Sequence, residues 1–468
     1  MCGSPSSRWR WCRRARGHDI AQRTTRGCVR EGPRVSGFPF LGAGGRNPLN
    51  FAVELRPPVP DKQDNMSEQN LKATATGIRV VVQQPALPKY RVPVFRELAG
   101  REGMQIRLFY GEMPFLTNVE PDGFDGAHVP MWRKTVLGHP IIWHTPQWKY
   151  ATREHADVLV LTWDVHYASL VPALLRAKAN GVPTILWGHG MSKHDSGLRA
   201  LPRRTVAGLA TALMFYNHTA AKRYVEAGWN AKRIYVALNS LDQGPIQEAR
   251  GNWLGRREEL EAFAQREGLT PGPVIIFVSR LEIDNRVDWL LEAGAKLKGV
   301  YPHLRIVVVG KGPDEPRLRE LVGRLEMEEH AKFTGAIYEE EKLAPWMLNA
   351  NVFCYPTNIG LSILHGLGYG LPVVTSDRTE SQNPEIEALS PAENGMLYKH
   401  GDTDSLAGAL RQIIDDRELA GRLSAGALAT VMERFNLKKM VDGFEAAIRY
   451  AHQQGSGVAS QRSGKELE

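Results

Sequence analysis

Cysteine is scarce in this chain of 468 residues: there are four, and Cys2, Cys12 and Cys28 all fall near the start. That excludes a disulfide framework and zinc-finger spacing, so the bulk of the chain reads as a reduced cytosolic protein. The fourth, Cys354, closes an apolar run where a thiol acts as a small hydrophobe. No apolar run approaches the roughly 18 residues that a membrane-spanning helix requires, so none is expected. Lysine is missing before Lys62, in a stretch with eleven arginines, scattered Trp, Gly and Pro, and no apolar period. Residues 1–65 are therefore expected to stay out of the core, as a disordered leader or a start-site artefact with translation beginning at Met66. The segment also lacks the apolar stretch of a signal peptide. A basic nucleic-acid arm is the alternative reading.

Acidic residues are short only locally. Of the net charge of +8, residues 1–65 hold 12 Lys and Arg against 5 Asp and Glu, residues 66–270 hold 25 against 18, and residues 271–468 hold 22 against 28. This removes most of the case for nucleic acid and leaves a mildly basic first half and an acidic second half. The basic half suits an anionic surface, with ordinary solvated charge as the alternative.

The length predicts two domains of ordinary size. From Gly77, short Val/Ile/Leu-rich runs alternate with amphipathic stretches, the pattern of parallel sheets covered by helices. Strands are expected at Ile78–Gln83, Ile106–Tyr110, Val158–Thr162, Thr184–Trp187, Ala212–Tyr216 and Arg233–Ala237. A second set follows at Val274–Val278, Arg305–Val309, Ala331–Thr334, Val352–Tyr355 and Pro372–Thr375. Helices are expected over Tyr167–Lys178 and Thr219–Ala227, with Gly181 and Gly228 as stops. The domain plan is a first doubly wound unit over 77–245, a helical linker over 246–272 ending in Thr-Pro-Gly-Pro, a second doubly wound unit over 273–452, and a disordered Gly/Ser-rich tail over 453–468. Ligands in such sheets bind beyond the strands' carboxyl ends, so the two Rossmann-like units should face each other across a cleft.

Chemistry concentrates at three strand ends of the second unit. After Cys354 comes Tyr355-Pro-Thr-Asn-Ile-Gly-Leu-Ser-Ile-Leu-His365, read as strand, glycine turn and a helix starting at Gly360. A helix start directs free N–H groups and a positive dipole end at its surroundings, which favours phosphate. Gly366, Gly368 and Gly370 each cost roughly 1 kcal/mol against alanine inside a helix, so a close approach of backbone or ligand must offset them. The other two ends carry Ser279-Arg280-Leu281 and Gly310-Lys311-Gly312-Pro313. Arg280 offers a permanently charged fork for a diphosphate, and Gly310 and Gly312 let a backbone come near a ligand. The structural alternatives are a packed helix and a surface ion pair.

With these motifs in place, the second half resembles the family 4 glycosyltransferases of the GT-B fold. The resemblance covers Val274 to about Asp416 through the Ser-Arg-Leu turn, Val-Gly-Lys-Gly-Pro, Phe333-Thr334-Gly335, the Gly-Leu-Ser helix, Gly370-Leu371-Pro372-Val373-Val374, Pro384-Glu385-Ile386 and Asn394-Gly395. It is looser in the first half, at Gly181-Val182-Pro183, Gly188-His189-Gly190 and Asn239-Ser240-Leu241-Asp242. It implies transfer of a sugar from a nucleotide-sugar donor held by the second unit to a glycan or lipid-linked acceptor held mostly by the first. Retention without metal, and a role in polysaccharide or cell-envelope synthesis, are part of the same expectation. No metal-ligand spacing and no Asp-x-Asp motif in a fitting loop is found, so no cofactor or metal is expected.

Two departures stand out. The family's paired glutamates fall here on Thr357 and His365, so the negative charge is lost. The family's lysine, five residues after the turn arginine, falls on Asn285, followed by Arg286. The implied donor-binding set is Arg280, Arg286, Lys311, Gly312, Thr357, Gly360, Leu361, Ser362 and His365. His189, in a Trp-Gly-His-Gly turn, takes the catalytic position as a positioning and stabilising group. Tyr90 and Arg91 after the first strand, and Asp164 with His166 and Tyr167 after Val158–Thr162, are the acceptor-side candidates. The competing readings are a nucleotide-sugar epimerase or hydrolase of the same fold, and an inactive sugar-nucleotide-binding subunit. The expected location is cytoplasmic, with peripheral association on anionic membrane.

Overall fold

The computed structural model describes residues 77–463 except 115 and 191–196, and it describes no side chains for 197–202 or 457–463. The leader, Cys2, Cys12, Cys28, the proposed start at Met66 and the last five residues lie outside the described residues. The first unit contains strands β1 (Ile78–Gln84), β2 (Met104–Tyr110), β3 (Asp125–His128), β4 (Trp132–Val136), β5 (His139–Trp143), β6 (Val158–Thr162), β7 (Thr184–Gly188), β8 (Ala212–Phe215) and β9 (Ile234–Val236). The second contains β10 (Val274–Val278), β11 (Arg305–Val309), β12 (Ala331–Gly335), β13 (Val352–Cys354), β14 (Val373–Ser376) and β15 (Gly395–Tyr398).

Two parallel sheets result, ordered β3-β2-β1-β6-β7-β8-β9 and β12-β11-β10-β13-β14-β15. Their inner strands are buried on both faces, which is why they read as continuous apolar runs. Cys354 is a fully buried free thiol in β13, and burial pushes its pKa far up. Gly181 and Gly228, the expected helix stops, both take positive φ. Strand β4 pairs only with β5, as an antiparallel ribbon outside both sheets. The sequence reading placed no strand at β3, β4, β5 or β15.

Each sheet has a topological switch point. Strand β1 sits between β2 and β6, and β10 between β11 and β13, so successive connections leave on opposite faces there. The crevices open at the carboxyl ends: residues 85–91 and 163–167 border the first, residues 279–285 and 355–361 the second.

The domain limits differ from the expectation at both joints. Helices Gly244–Gly255 and Arg257–Arg266 are no free linker, because Ile246, Ala249, Phe263 and Ala264 belong to the second unit's core. The final helix, Leu437–Ser463, runs past Gln453, where order was expected to end. It leaves the second unit and packs on the first sheet: Met440, Val441, Phe444, Ala447, Ile448 and Ala451 are fully buried there. Phe444 meets Trp187 edge-on at 4.6 Å. Gly443 permits this seating, since a Cβ there would stand 2.1 Å from the Val236 carbonyl oxygen.

Candidate functional site

Strands β10, β11 and β13 are neighbours, so the three motif-bearing ends do converge on the second crevice. Arg280 projects from the end of β10 with its side chain 59% exposed, 3.8 Å from Glu282. Exposed Lys311 lies one strand away after β11. The glycines between them serve the protein's own packing. A Cβ on Gly310 would come within 1.8 Å of the Ser279 carbonyl oxygen, and one on Gly312 within 2.2 Å of that of Leu281. The expected close approach is thus of backbone to backbone, locking the two turns together, not of backbone to ligand.

Asn285 is buried and works as a brace. Its Nδ2 donates to the Arg280 carbonyl at 2.8 Å, and its Oδ1 accepts from Asn358 Nδ2 at 3.2 Å. The residue at the family's lysine position therefore holds the Arg280 turn against the glycine loop. Arg286, the cation that follows it, is held within its own helix turn. It takes a left-handed backbone, pairs with buried Asp288 at 2.9 Å and lies 4.0 Å above the Trp289 ring. Burial alone would raise the Asp288 carboxyl, but Arg286 and Arg317 bring it below the ordinary carboxylate value.

The helix after β13 spans Ser362–Gly368, starting two residues later than expected. Its approach is held by side chains: Gln382 Oε1 accepts from the Ile359 N–H at 2.8 Å, and Asn383 Nδ2 donates to the Asn358 carbonyl at 2.9 Å. Thr357 is buried with its hydroxyl 3.0 Å from that of Ser381. The N–H groups of Gly360, Leu361 and Ser362 have no acceptor among the described residues. Gly366 and Gly368 make room for Phe353 and Gln243, so these glycines too answer to packing.

His365 was expected to leave this place without negative charge, and the structure supplies one from another element. Its Nε2 is 2.7 Å from Glu340 Oε1, and the Tyr369 hydroxyl donates to Glu340 Oε2 at 3.0 Å. Burial works to raise the Glu340 carboxyl, yet these two partners and the Lys89 ammonium of the first unit take it below the ordinary carboxylate value. Glu340 opens the helix Glu340–Leu348, just beyond the end of β12. Within a Glu-Glu-Glu run nothing in the sequence separates it from its neighbours.

Across the cleft, His189 is exposed at the end of β7 and packs on the Tyr216 ring at 4.8 Å. Its flanking glycines are demanded by aromatic neighbours. A Cβ at Gly188 would lie 2.9 Å from Trp163, and one at Gly190, where φ is +67°, would lie 2.3 Å from Phe215. Tyr90 packs partly against the second unit's core. Arg91 is buried, not presented to an acceptor: its guanidinium lies among the rings of Tyr90, Trp187 and Tyr216 at 5.3, 4.9 and 5.6 Å. Asp164 binds its own loop, accepting from the His166 N–H at 3.0 Å with His166 Nδ1 at 2.7 Å. Tyr167 is buried with its hydroxyl on the Met131 sulfur, and burial pushes its pKa far up.

Sequence reasoning missed the clasp between the units. Buried Glu385 accepts from Asn239 Nδ2, and Glu387 accepts from the His218 N–H at 2.8 Å and from the Thr219 N–H. Glu387 borders a cleft of about 780 Å³ that His189, Arg223, Gln382 and Asn383 also line. Pro384-Glu385-Ile386 and Asn239 were visible as motifs, but which residues they bind is a tertiary fact.

Two doubly wound units with facing carboxyl edges, joined by a returning terminal helix, define the GT-B class of α/β protein. Residues 272–416, within the second unit, match the family Glycosyl transferases group 1. Among curated relatives, an alpha-D-kanosaminyltransferase of Streptomyces kanamyceticus is 23% identical over 73% of this chain and 89% of its own length. The lipopolysaccharide core biosynthesis glycosyltransferase LpsE of Rhizobium meliloti is 27% identical over 48% of this chain, which spans 60% of that relative. Among solved structures, Anabaena HepE in complex with UDP superposes with a TM-score of 0.60 at 17% identity, over 80% of this chain and 99% of that one.

Proposed function

We propose that this glycosyltransferase binds a nucleotide-sugar in the crevice between β10 and β13 and transfers the sugar, with retention and without metal, to a glycan or lipid-linked acceptor. The observation that carries the reading is the meeting of exposed Arg280, Lys311 and the unsatisfied amides of residues 360–362 at one switch point, opposite His189. A diphosphate there receives a guanidinium fork, an ammonium and backbone donors, which stabilise charge as it develops on the leaving group. Glu340 and His365 take the role of the family's acidic group beside the nucleoside. The anomeric carbon–oxygen bond to the phosphate breaks, the acceptor oxygen bonds to that carbon on the same face, and the acceptor proton passes to the departing phosphate oxygen. His189 positions the sugar and acceptor.

UDP-, GDP- and TDP-sugars in turn are titrated against the protein, with ligand-induced thermal stabilisation as readout, followed by transfer to glycan or lipid extracts. At least one donor is expected to stabilise the wild type, and Arg280→Ala is expected to weaken that donor by roughly 10 to 100-fold, the range of a charge-assisted bidentate contact. No stabilisation by any donor, or full affinity in Arg280→Ala, defeats the assignment. Binding without transfer to any acceptor makes the chain an inactive sugar-nucleotide-binding subunit. Members of this reaction class that extend lipid-linked glycans meet their acceptor at a bilayer, and the basic first half fits peripheral association there.

A further inference from the structure

The hairpin β4–β5 plays no part in either sheet or in the cleft chemistry, and its tip is unusual. Register pairs Val136 with His139, leaving Leu137-Gly138 as a two-residue turn in which both residues have positive φ. That turn ordinarily takes Asn-Gly or Asp-Gly, because a larger side chain is strained in the left-handed region. Here Leu137 occupies it, at φ +50° and 94% exposed. Trp132 and Val136 on the same ribbon are 43% and 41% exposed. A leucine that is both conformationally unfavourable and open to water points to a use for that side chain.

Charge sets the kind of partner. No Asp or Glu occurs between Asp125 and Glu154, while Arg133, Lys134, Lys149 and Arg153 do. Among the described residues Lys134 makes no ion pair, and Arg133 bonds the Glu112 carbonyl and the Met113 sulfur instead of a carboxylate. The ribbon springs from the carboxyl end of β3 and is tied at Ile142 to the loop after β6, the Ala168 N–H donating to the Ile142 carbonyl at 2.8 Å. It therefore stands at the same sheet edge as the acceptor-side loops.

We propose that the β4–β5 hairpin docks this protein on an anionic bilayer, Leu137 entering the lipid interface while Arg133 and Lys134 meet the headgroups. A convex two-residue apolar tip offers too little flat area for a stable protein interface, whereas it suits the headgroup boundary, where apolar insertion and basic charge act together. The inference deepens the peripheral-membrane reading above by naming its element, and it is tested without acceptor so that the two fail separately.

The full chain is floated with phosphatidylcholine vesicles that hold about a third phosphatidylglycerol, and with phosphatidylcholine alone, near physiological salt. The wild type is expected to float with the anionic vesicles only. Leu137→Asn, which installs a residue the turn prefers and so keeps the fold, is expected to lower partitioning roughly tenfold. Lys134→Glu is expected to do likewise, with donor-induced stabilisation unchanged in both variants. Failure of the wild type to float, equal flotation with neutral vesicles, or an unchanged Leu137→Asn overturns the inference. A dimer in solution that Leu137→Asn dissolves also overturns it, giving the tip to a second copy. Loss of donor binding by the wild type would instead sink the transferase reading and leave the vesicle result standing.

Discussion

Replacing His365 with glutamate restores the family's residue, and the structure says it should harm this protein. His365 Nε2 lies 2.7 Å from Glu340 Oε1, and both side chains are about three-quarters buried. A carboxylate at 365 would face that of Glu340 at roughly 4 Å, and with an effective dielectric constant near 20 two such charges repel by about 4 kcal/mol. Rather than bear this, the pair would hold a proton, its upper apparent pKa raised well above that of an ordinary glutamate by the like charge beside it. Calorimetric titration of His365→Glu with the stabilising donor at about pH 6 and about pH 8 should show weak binding at the higher pH and recovery at the lower. The double variant His365→Glu/Glu340→Gln removes the repulsion and should bind at both. If the single variant binds at the higher pH as tightly as the wild type, or the double variant binds no better than the single, Glu340 does not supply the charge at this place.

Two predictions concern stability. His144 is fully buried, and burial drives its pKa from 6.5 to about 4 against the opposing effect of its bond to the Val129 carbonyl. The unfolded chain takes that proton near 6.5 and the folded one does not, so stability falls as the pH drops from 6.5 towards 4, by about 2 kcal/mol at pH 5. Urea midpoints at the two pH values check this, and His144→Gln should flatten the slope; an equal slope in the variant refutes it. Phe444→Ala should cost about 3 to 5 kcal/mol by opening a cavity against Trp187, read as a fall in urea midpoint with donor binding kept by the molecules that remain folded. A loss under about 1 kcal/mol would mean that the terminal helix is not seated on the first sheet.

The central strands were legible because each is buried on both faces and reads as an unbroken apolar run. Asp125–His128 escaped because an edge strand of Asp, Gly, Ala and His needs no apolar period, and the β4–β5 ribbon because its first strand is exposed throughout. The linker's polar surface hid Ile246 and Phe263, which are enough to fix its helices on the second core. Within the site, Arg280 and Lys311 stand where the strand ends put them. Gly310 and Gly312 were read correctly as marks of close approach but credited to a ligand, since a sequence does not say whether a neighbour is substrate or the next turn of backbone. Arg286 shows the same limit: its neighbour Asp288 was in view, but the left-handed turn that joins the two was not.

The returning terminal helix has a mechanical consequence. The backbone crosses between the units twice, outward through residues 237–244 and back through 435–437, so the units hang on two pins instead of one. Two pins define an axle: swinging about the line that joins them bends only short stretches of chain, whereas twisting or sliding would shear the helix from its seat. Donor entry and product release should therefore follow one arc, which parts Glu387 from the His218 and Thr219 amides as the units swing open.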